Sequence, residues 1–182
     1  MDIDRSIDRN HGISFSTLMS QLYMAKPYIA GIGRIWIAAT KSGIMHISIG
    51  GNLRKFLNGL CENDGYKEDE ARFNTIIKQI SDLAKGKRVR FRACLDLYGT
   101  PFQRRVWKAI AKIPWGETRS YSWLAAQAGN SKAVRAAANA CGANPVPIII
   151  PCHRVIASDG SIGGFSGGID LKRRLLKLEG VE

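Results

Sequence analysis

Acidic residues are scarce: 15 Asp and Glu stand against 27 Lys and Arg, leaving a formal net charge of +12. Such a field favours a polyanionic partner, most simply nucleic acid, because each neutralised phosphate releases counterions. A generally basic, soluble surface fits the charge equally well. Histidine occurs three times (His11, His46, His153) and cysteine four times (Cys61, Cys94, Cys141, Cys152), with no C-x-x-C pair. That scatter argues against a zinc knuckle or a disulfide framework and predicts reduced thiols. Long apolar runs are missing, and the first residues, MDIDRSIDRNHG, are charged. The expectation is a soluble, unsecreted, cytoplasmic protein, nucleoid-associated in a prokaryote or nuclear in a eukaryote. Internal repeats, low-complexity linkers, a Walker lysine pattern and a dinucleotide fingerprint are all lacking.

What is present suits a globular fold. With 182 residues, 45% of them hydrophobic, the chain can bury one large core or two small ones. Residues 32–39 and 44–49 are β-rich runs around Lys41-Ser42-Gly43, which reads as a hairpin. Asn52 can cap a short helix with Leu53, Phe56, Leu57 and Leu60 on one face, and Asn63-Asp64-Gly65 follows as a loop. From Glu68 to about Lys85, Phe73, Ile76, Ile77, Ile80 and Leu83 fall at helical spacing, and Gly86 stops the helix. Val89, Phe91, Ala93, Leu95 and Leu97 then alternate with polar residues as a half-buried strand. No chemistry is visible in this first half.

Composition changes at Gly99. Thr100, Pro101 and Gln103 form a capping box that opens a helix with Phe102, Val106, Ala109, Ile110 and Ile113 inward. A second helix, capped by Ser120, runs from Tyr121 to Ala128. A third runs from Asn130-Ser131 to about Cys141, and Gly129 turns between them. This is a helix-turn-helix pattern, shared with helical hairpins that never touch DNA. Ala136, Ala137, Ala138 and Ala140 leave little bulk on the third helix, with Arg135 as its one long basic side chain. Small residues and an arginine suit close approach to a minor groove; tight packing on the core with a solvated arginine is the alternative. The last helix, Leu171 to Glu179, carries packing leucines and a basic face of Lys172, Arg173, Arg174 and Lys177.

The stretch that could carry chemistry is Ile148 to Val155. Three isoleucines read as a buried strand that Pro151 ends, which seats Cys152 where a core strand meets a site. A thiolate is a soft nucleophile suited to attack at an alkyl carbon, and a buried thiol needs a base or a positive neighbour to form one. His153 is the candidate, although adjacent side chains on a strand point opposite ways; contact needs a turn at Pro151 or a bridging water. Glu179 could orient the imidazole. An ordinary buried cysteine is the plainer reading of the fragment.

The run Ile150-Pro151-Cys152-His153-Arg154-Val155-Ile156, with Asn144-Pro145 before it and Gly163-Gly164-Phe165-Ser166-Gly167-Gly168 after it, closely resembles the O6-alkylguanine-DNA alkyltransferases. The resemblance extends upstream through Gly99 to Gln103, Val106-Trp107, Ile113-Pro114, Ser120-Tyr121, Leu124-Ala125 and Arg135-Ala136. It implies an α+β fold: a small ribonuclease-H-like N-terminal α/β domain (1–92), then a mainly helical C-terminal domain (93–182) with a winged helix-turn-helix. It implies a monomer acting once on double-stranded DNA containing alkylated guanine, and possible action on alkylated thymine, with no membrane, metal or organic cofactor.

By the same resemblance Cys152 is the alkyl acceptor, His153 its activator through a water, Glu179 the carboxylate behind that imidazole, and Asn144 the tie on the preceding turn. Tyr121 bonds the base and helps rotate it out. The carbonyls of Cys152 and Val155 receive the guanine amino group, with Ser166 and Phe165 against the base. Arg135 fills the stack, on a DNA-facing surface that includes Ser131, Ala136, Ala138 and Asn139. Phe165 departs from the tyrosine of many members, and Asn139 and Cys141 stand where glycine and methionine are frequent. The zinc ligands of some members have no counterpart. Cys61, Cys94 and Cys141, outside the motif, are expected to be inert.

Overall fold

A computed structural model describes residues 22–51, 56 and 66–181. The helix expected around Leu53, Leu57 and Leu60, the loop at 63–65 and Cys61 lie outside the described residues, with only Phe56 of that helix inside. The chain is mixed α and β. Strands β1 (Leu22–Ala25), β2 (Tyr28–Ile29), β3 (Gly33–Ala39), β4 (Ile44–Ile49) and β5 (Tyr66–Glu68) form one sheet. The expected hairpin is β3–β4, antiparallel with Ile37 opposite Ile47. The sequence reading did not find β1, β2 or β5: they are short, and β5 is exposed throughout, so none shows a buried alternation. A 3₁₀ turn (Glu70–Phe73), whose Arg72 N–H is capped by Asp69, leads into helix α1 (Asn74–Ala84). Ile76, Ile80 and Leu83 are its buried face, and Gly86 follows at φ +77°.

The strand expected at 89–97 is only an extended segment. It touches the sheet at one bridge, where Ile44 and Leu95 pair: Ile44 N–H donates to Cys94 O (2.8 Å) and Asp96 N–H to Ile44 O (2.9 Å). Gln79 of α1 occupies the rest of its edge, donating to Arg90 O (3.2 Å) and accepting from Arg92 N–H (3.2 Å). Asp96 is fully buried and bonded by the Thr40 hydroxyl, so the outer row of the alternation ends there.

The second half follows the helical reading. Helix α2 (Pro101–Ala111) has the full capping box, with Gln103 N–H donating to Thr100 Oγ1 (3.2 Å) and Thr100 N–H to Gln103 Oε1 (2.8 Å). Trp107, 1% exposed, donates its indole N–H to Ala140 O (2.8 Å) and so ties α2 to the third helix. Strand β6 (Arg119–Ser120) precedes α3 (Tyr121–Gln127), with Ser120 capping Trp123 N–H; Gly129 turns at φ +86°. Helix α4 (Val134–Gly142) starts later than expected, because Asn130–Ala133 is spent on a turn held by Lys132 N–H to Asn130 Oδ1 (3.1 Å) and Ala133 N–H to Asn130 O (3.0 Å). β7 (Val155–Ile156) pairs in parallel with β6, and α5 (Ile169–Leu178) closes the fold.

One buried cluster joins Ile35 and Phe73 of the first half to Trp107, Ile150 and Cys152 of the second. Ile47 N–H of β4 donates to Pro145 O (2.7 Å), so the sheet holds the turn that precedes Cys152.

Removing one cap tests whether the start of α2 is fixed locally. Thr100→Ala should lower the unfolding free energy by about 1 kcal/mol, read as a shifted urea midpoint at unchanged m value. An unchanged midpoint would mean that packing alone holds this end.

Candidate active site around Cys152

The run Ile148–Ile150 is not a strand. Pro145, Pro147 and Pro151 supply no N–H for a ladder, and Asn144 gathers the loop instead. Its side-chain amide donates to Ile150 O (2.8 Å) and its carbonyl oxygen accepts from Val146 N–H (3.1 Å). Ile150 N–H closes the turn on Val146 O (3.0 Å). The turn forces Ile148 to φ +76°, a left-handed conformation that a β-branched residue adopts only under strain of about 1–3 kcal/mol. Burial of Ile148, Ile149 and Ile150 in the core offsets that strain.

The turn at Pro151 that direct His153 participation requires is present. Pro151 sits at φ −80°, ψ 63°, the inverse γ conformation, and Cys152 N–H donates to Ile150 O across it (2.8 Å). Residues Cys152–Arg154 then form one 3₁₀ turn, so Cys152 and His153 are not on opposite faces of a strand.

Glu179 collects the second and third residues of that turn. His153 Nε2 lies 2.8 Å from Glu179 Oε1, both side chains fully buried. Arg154 donates through Nε to Oε2 (2.7 Å) and through a terminal nitrogen to Oε1 (2.9 Å), and its other terminal nitrogen reaches Ile113 O (2.7 Å). Gly116 N–H adds a fourth donor at 3.3 Å. Burial alone would raise this carboxyl, but the bonds from His153 and Arg154 outweigh it and pull it down to about 2. The guanidinium therefore neutralises the carboxylate and the imidazole need not carry charge. Burial indeed lowers His153, against the raising effect of Glu179. An ionised carboxylate only accepts, so Nε2 bears the proton and donates. Nδ1 keeps its lone pair and has no hydrogen-bond partner among the described residues. It is a neutral base on the residue that follows Cys152 in the 3₁₀ turn.

Cys152 lines a cavity of about 180 Å³ with Tyr121, Ala138, Cys141, Phe165 and Ser166. Burial pushes its thiol up, while the bond from the Asn144 side chain and the charge of Lys172 work the other way. Tyr121 is raised by burial and by the two neighbouring thiols, so it is a neutral donor. A Cβ on Gly163, at φ +65°, would stand 2.9 Å from the Tyr121 hydroxyl, so only glycine leaves that hydroxyl its place. Phe165 meets the His153 ring edge-on, centroids 6.3 Å apart.

One sequence reading changes here. Lys172, assigned to a basic outer face, is fully buried: its ammonium donates to Val155 O (2.5 Å) and Gly164 O (3.3 Å), tying the motif to the glycine loop. Its spacing with Leu175 and Leu176 on the inner face was the available signal. Val155 is fully buried, with its carbonyl held by Lys172. Cys141 lines the cavity but stays inert as expected, because burial followed by the neighbouring Cys152 pushes its thiol to about 12. On α4, Arg135, Ala136 and Asn139 are exposed, as is Ser131 in the preceding turn, while Ala137 and Ala140 face the core. Ala138 is half-buried at the cavity wall.

Residues 101–181 match the family model described as "6-O-methylguanine DNA methyltransferase, DNA binding domain". A methylated-DNA--protein-cysteine methyltransferase of Methanosarcina acetivorans is 39% identical over 149 residues, 82% of this chain and 93% of that protein. The chain belongs to the methylated-DNA--protein-cysteine methyltransferases. A Mycobacterium bovis relative in this family is 49% identical over 111 residues, 61% of this chain and 67% of that protein. The crystal structure of Mycobacterium tuberculosis OGT in complex with DNA superposes with a TM-score of 0.74 at 36% identity, covering 87% of this chain and 92% of that one.

Two measurements test this methyltransferase site. Lys172→Met keeps the volume but removes the donor to the buried Val155 carbonyl and to Gly164 O, and should cost about 1–3 kcal/mol of stability in denaturant unfolding. The second is the His153 titration. Its folded pKa lies below 6.5, so the unfolded chain binds this proton first as pH falls; stability drops as pH goes below 6.5 toward the folded value. Nitrogen NMR should show a neutral, Nε2-protonated ring at pH 7, and a midpoint at or above 6.5 would refute the assignment.

Proposed function

We infer that the protein repairs DNA by direct reversal, moving an alkyl group from the O6 atom of guanine in duplex DNA to Cys152, once per molecule. The observation that carries the reading is the cavity lined by Cys152, which is followed in the same 3₁₀ turn by a neutral imidazole whose Nε2–H is fixed on Glu179.

The chemistry follows from these groups. The thiol proton passes, through a bridging water, to Nδ1 of His153, and Glu179 stabilises the imidazolium that forms. Cys152 Sγ bonds to the alkyl carbon, the carbon–O6 bond breaks, and its electron pair stays on the base. Tyr121, a neutral donor, hydrogen-bonds the base and makes it a better leaving group. The thioether does not hydrolyse, so the protein is consumed. Asn144 fixes the turn and steadies the thiol. The Cys152 and Val155 carbonyls receive the guanine amino group, with Ser166 and Phe165 along the base. The Val155 oxygen already accepts from Lys172 and has a second lone pair to offer.

A base inside a duplex hides its reactive atom, so it must be rotated out and its gap filled. Arg135 fills it: the side chain is exposed on α4 with no hydrogen bond or ion pair to any described residue. Ala136 and Ala138 permit close approach to the minor groove, with Ser131 and Asn139 at its margin. In this reading α3 and α4 with the β6–β7 ladder are a winged helix-turn-helix, residues 93–182 are the DNA-binding and acceptor domain, and residues 1–92 a ribonuclease-H-like scaffold. The protein works as a monomer wherever the cell keeps its DNA.

Cys152→Ala should abolish removal of labelled methyl groups from alkylated duplex DNA, and wild-type protein should gain one benzyl mass on Cys152 from free benzylguanine. Repeated turnover on an acyl ester with the free thiol retained would instead indicate a cysteine hydrolase. Arg135→Ala should slow duplex repair far more than the benzylguanine reaction, because only the duplex requires flipping; equal losses would count against the stacking role.

A further inference from the structure

The first half of the chain carries excess positive charge that the alkyl-transfer site does not use. Much of it lies on the extended segment after α1, where Arg88, Arg90 and Arg92 alternate with Val89 and Phe91. Phe91 is buried and Val89 half-buried, while all three arginines are exposed. Gln79 holds the backbone between them through Arg90 O and Arg92 N–H, as a strand partner would, so the row is presented by a fixed segment. None of the three guanidiniums has a hydrogen bond or ion pair to any described residue. Asp82, the acid at the C-terminal end of α1, is already taken by Lys78 (2.6 Å) and Lys87 (3.0 Å).

At the Arg92 end the row runs into a cavity of about 290 Å³ lined by Lys41, Arg72 and Arg92, by the residues Ser42 and Thr75, and by no Asp or Glu. Arg72 is anchored there, with its guanidinium on Thr40 O (3.0 Å) and 4.1 Å from the centre of the Tyr23 ring. Lys41 is exposed and, like the arginine row, has no such bond to a described residue.

We propose that Arg88, Arg90 and Arg92, with Lys41 at the adjoining cavity, form a second contact for the phosphates of duplex DNA, separate from helix α4. A row of like charges repels itself in the free protein, and only a partner with repeated negative charge relieves every member at once. Guanidinium groups match phosphate oxygens in a forked, two-bond geometry. Duplex DNA is the polyanion this protein already meets, and the proposal rests on that reading. Such a contact would hold the protein on undamaged duplex between lesions without reading sequence.

The test is binding to undamaged duplex, by fluorescence anisotropy from low to moderate salt, with Arg88→Gln/Arg90→Gln/Arg92→Gln. At about −0.9 per phosphate, the slope of log affinity against log salt should become shallower by roughly 2 to 3. The rate of Cys152 modification by free benzylguanine should be unchanged, which shows the fold and the acceptor site intact. Lys26→Gln/Lys67→Gln/Lys78→Gln removes the same charge elsewhere and should shift the slope by less than half as much. An unchanged slope in the arginine variant overturns the proposal and leaves an acidic protein surface as the occupant; equal shifts in the two variants reduce it to net charge and overturn it too. Failure of wild-type protein to bind duplex or to react with benzylguanine would instead sink the reading of function.

Discussion

The site depends on one buried carboxylate. Glu179 sits at the end of α5 and accepts from His153, Arg154 and Gly116, residues that come from two other segments. A charge taken out of water is tolerated only when paired and fully hydrogen-bonded. Arg154 supplies the counter-charge, while burial, with a smaller push from Arg154, keeps His153 neutral, with its proton on Nε2 and its lone pair on Nδ1.

A second constraint acts on the backbone. Three prolines deny the segment before Cys152 a place in a sheet, and Asn144 folds it into a turn with Ile148 at positive φ. That strain is held by the packing of three isoleucines in a core shared with the first half of the chain. Lys172 fixes the far side by bridging the carbonyls of Val155 and Gly164. Cys152 is thus clamped from both flanks, a preorganisation that suits the role proposed for it. The two sides of the chain divide the remaining work. Helix α4 puts small residues and Arg135 outward, while the segment after α1 shows a row of arginines with no partner among the described residues.

Local signals proved legible wherever a side chain bonds its own neighbours. The capping box at Thr100 and Gln103, the Ser120 cap, the Gly86 and Gly129 stops and the β3–β4 hairpin all stand where the residues place them. Misreadings arose where distant groups competed. Residues 148–150 have strand composition but no donors at the flanking prolines, and residues 89–97 alternate yet pair with a glutamine side chain. Lys172 carries the label of a surface residue because nothing nearby in sequence announces its two carbonyl acceptors.

The sequence by itself determined the helices of the second half, the order of groups around Cys152 and the resemblance that named the chemistry, because those rest on residue identity and short-range bonding. Only the tertiary structure decided that Cys152 and His153 share a 3₁₀ turn, that Arg154 rather than His153 balances Glu179, and that Cys141 and Lys172 belong to the site. Each of those depends on which carbonyl, charge or cavity a side chain meets across the fold, and burial sets the strength of every such meeting.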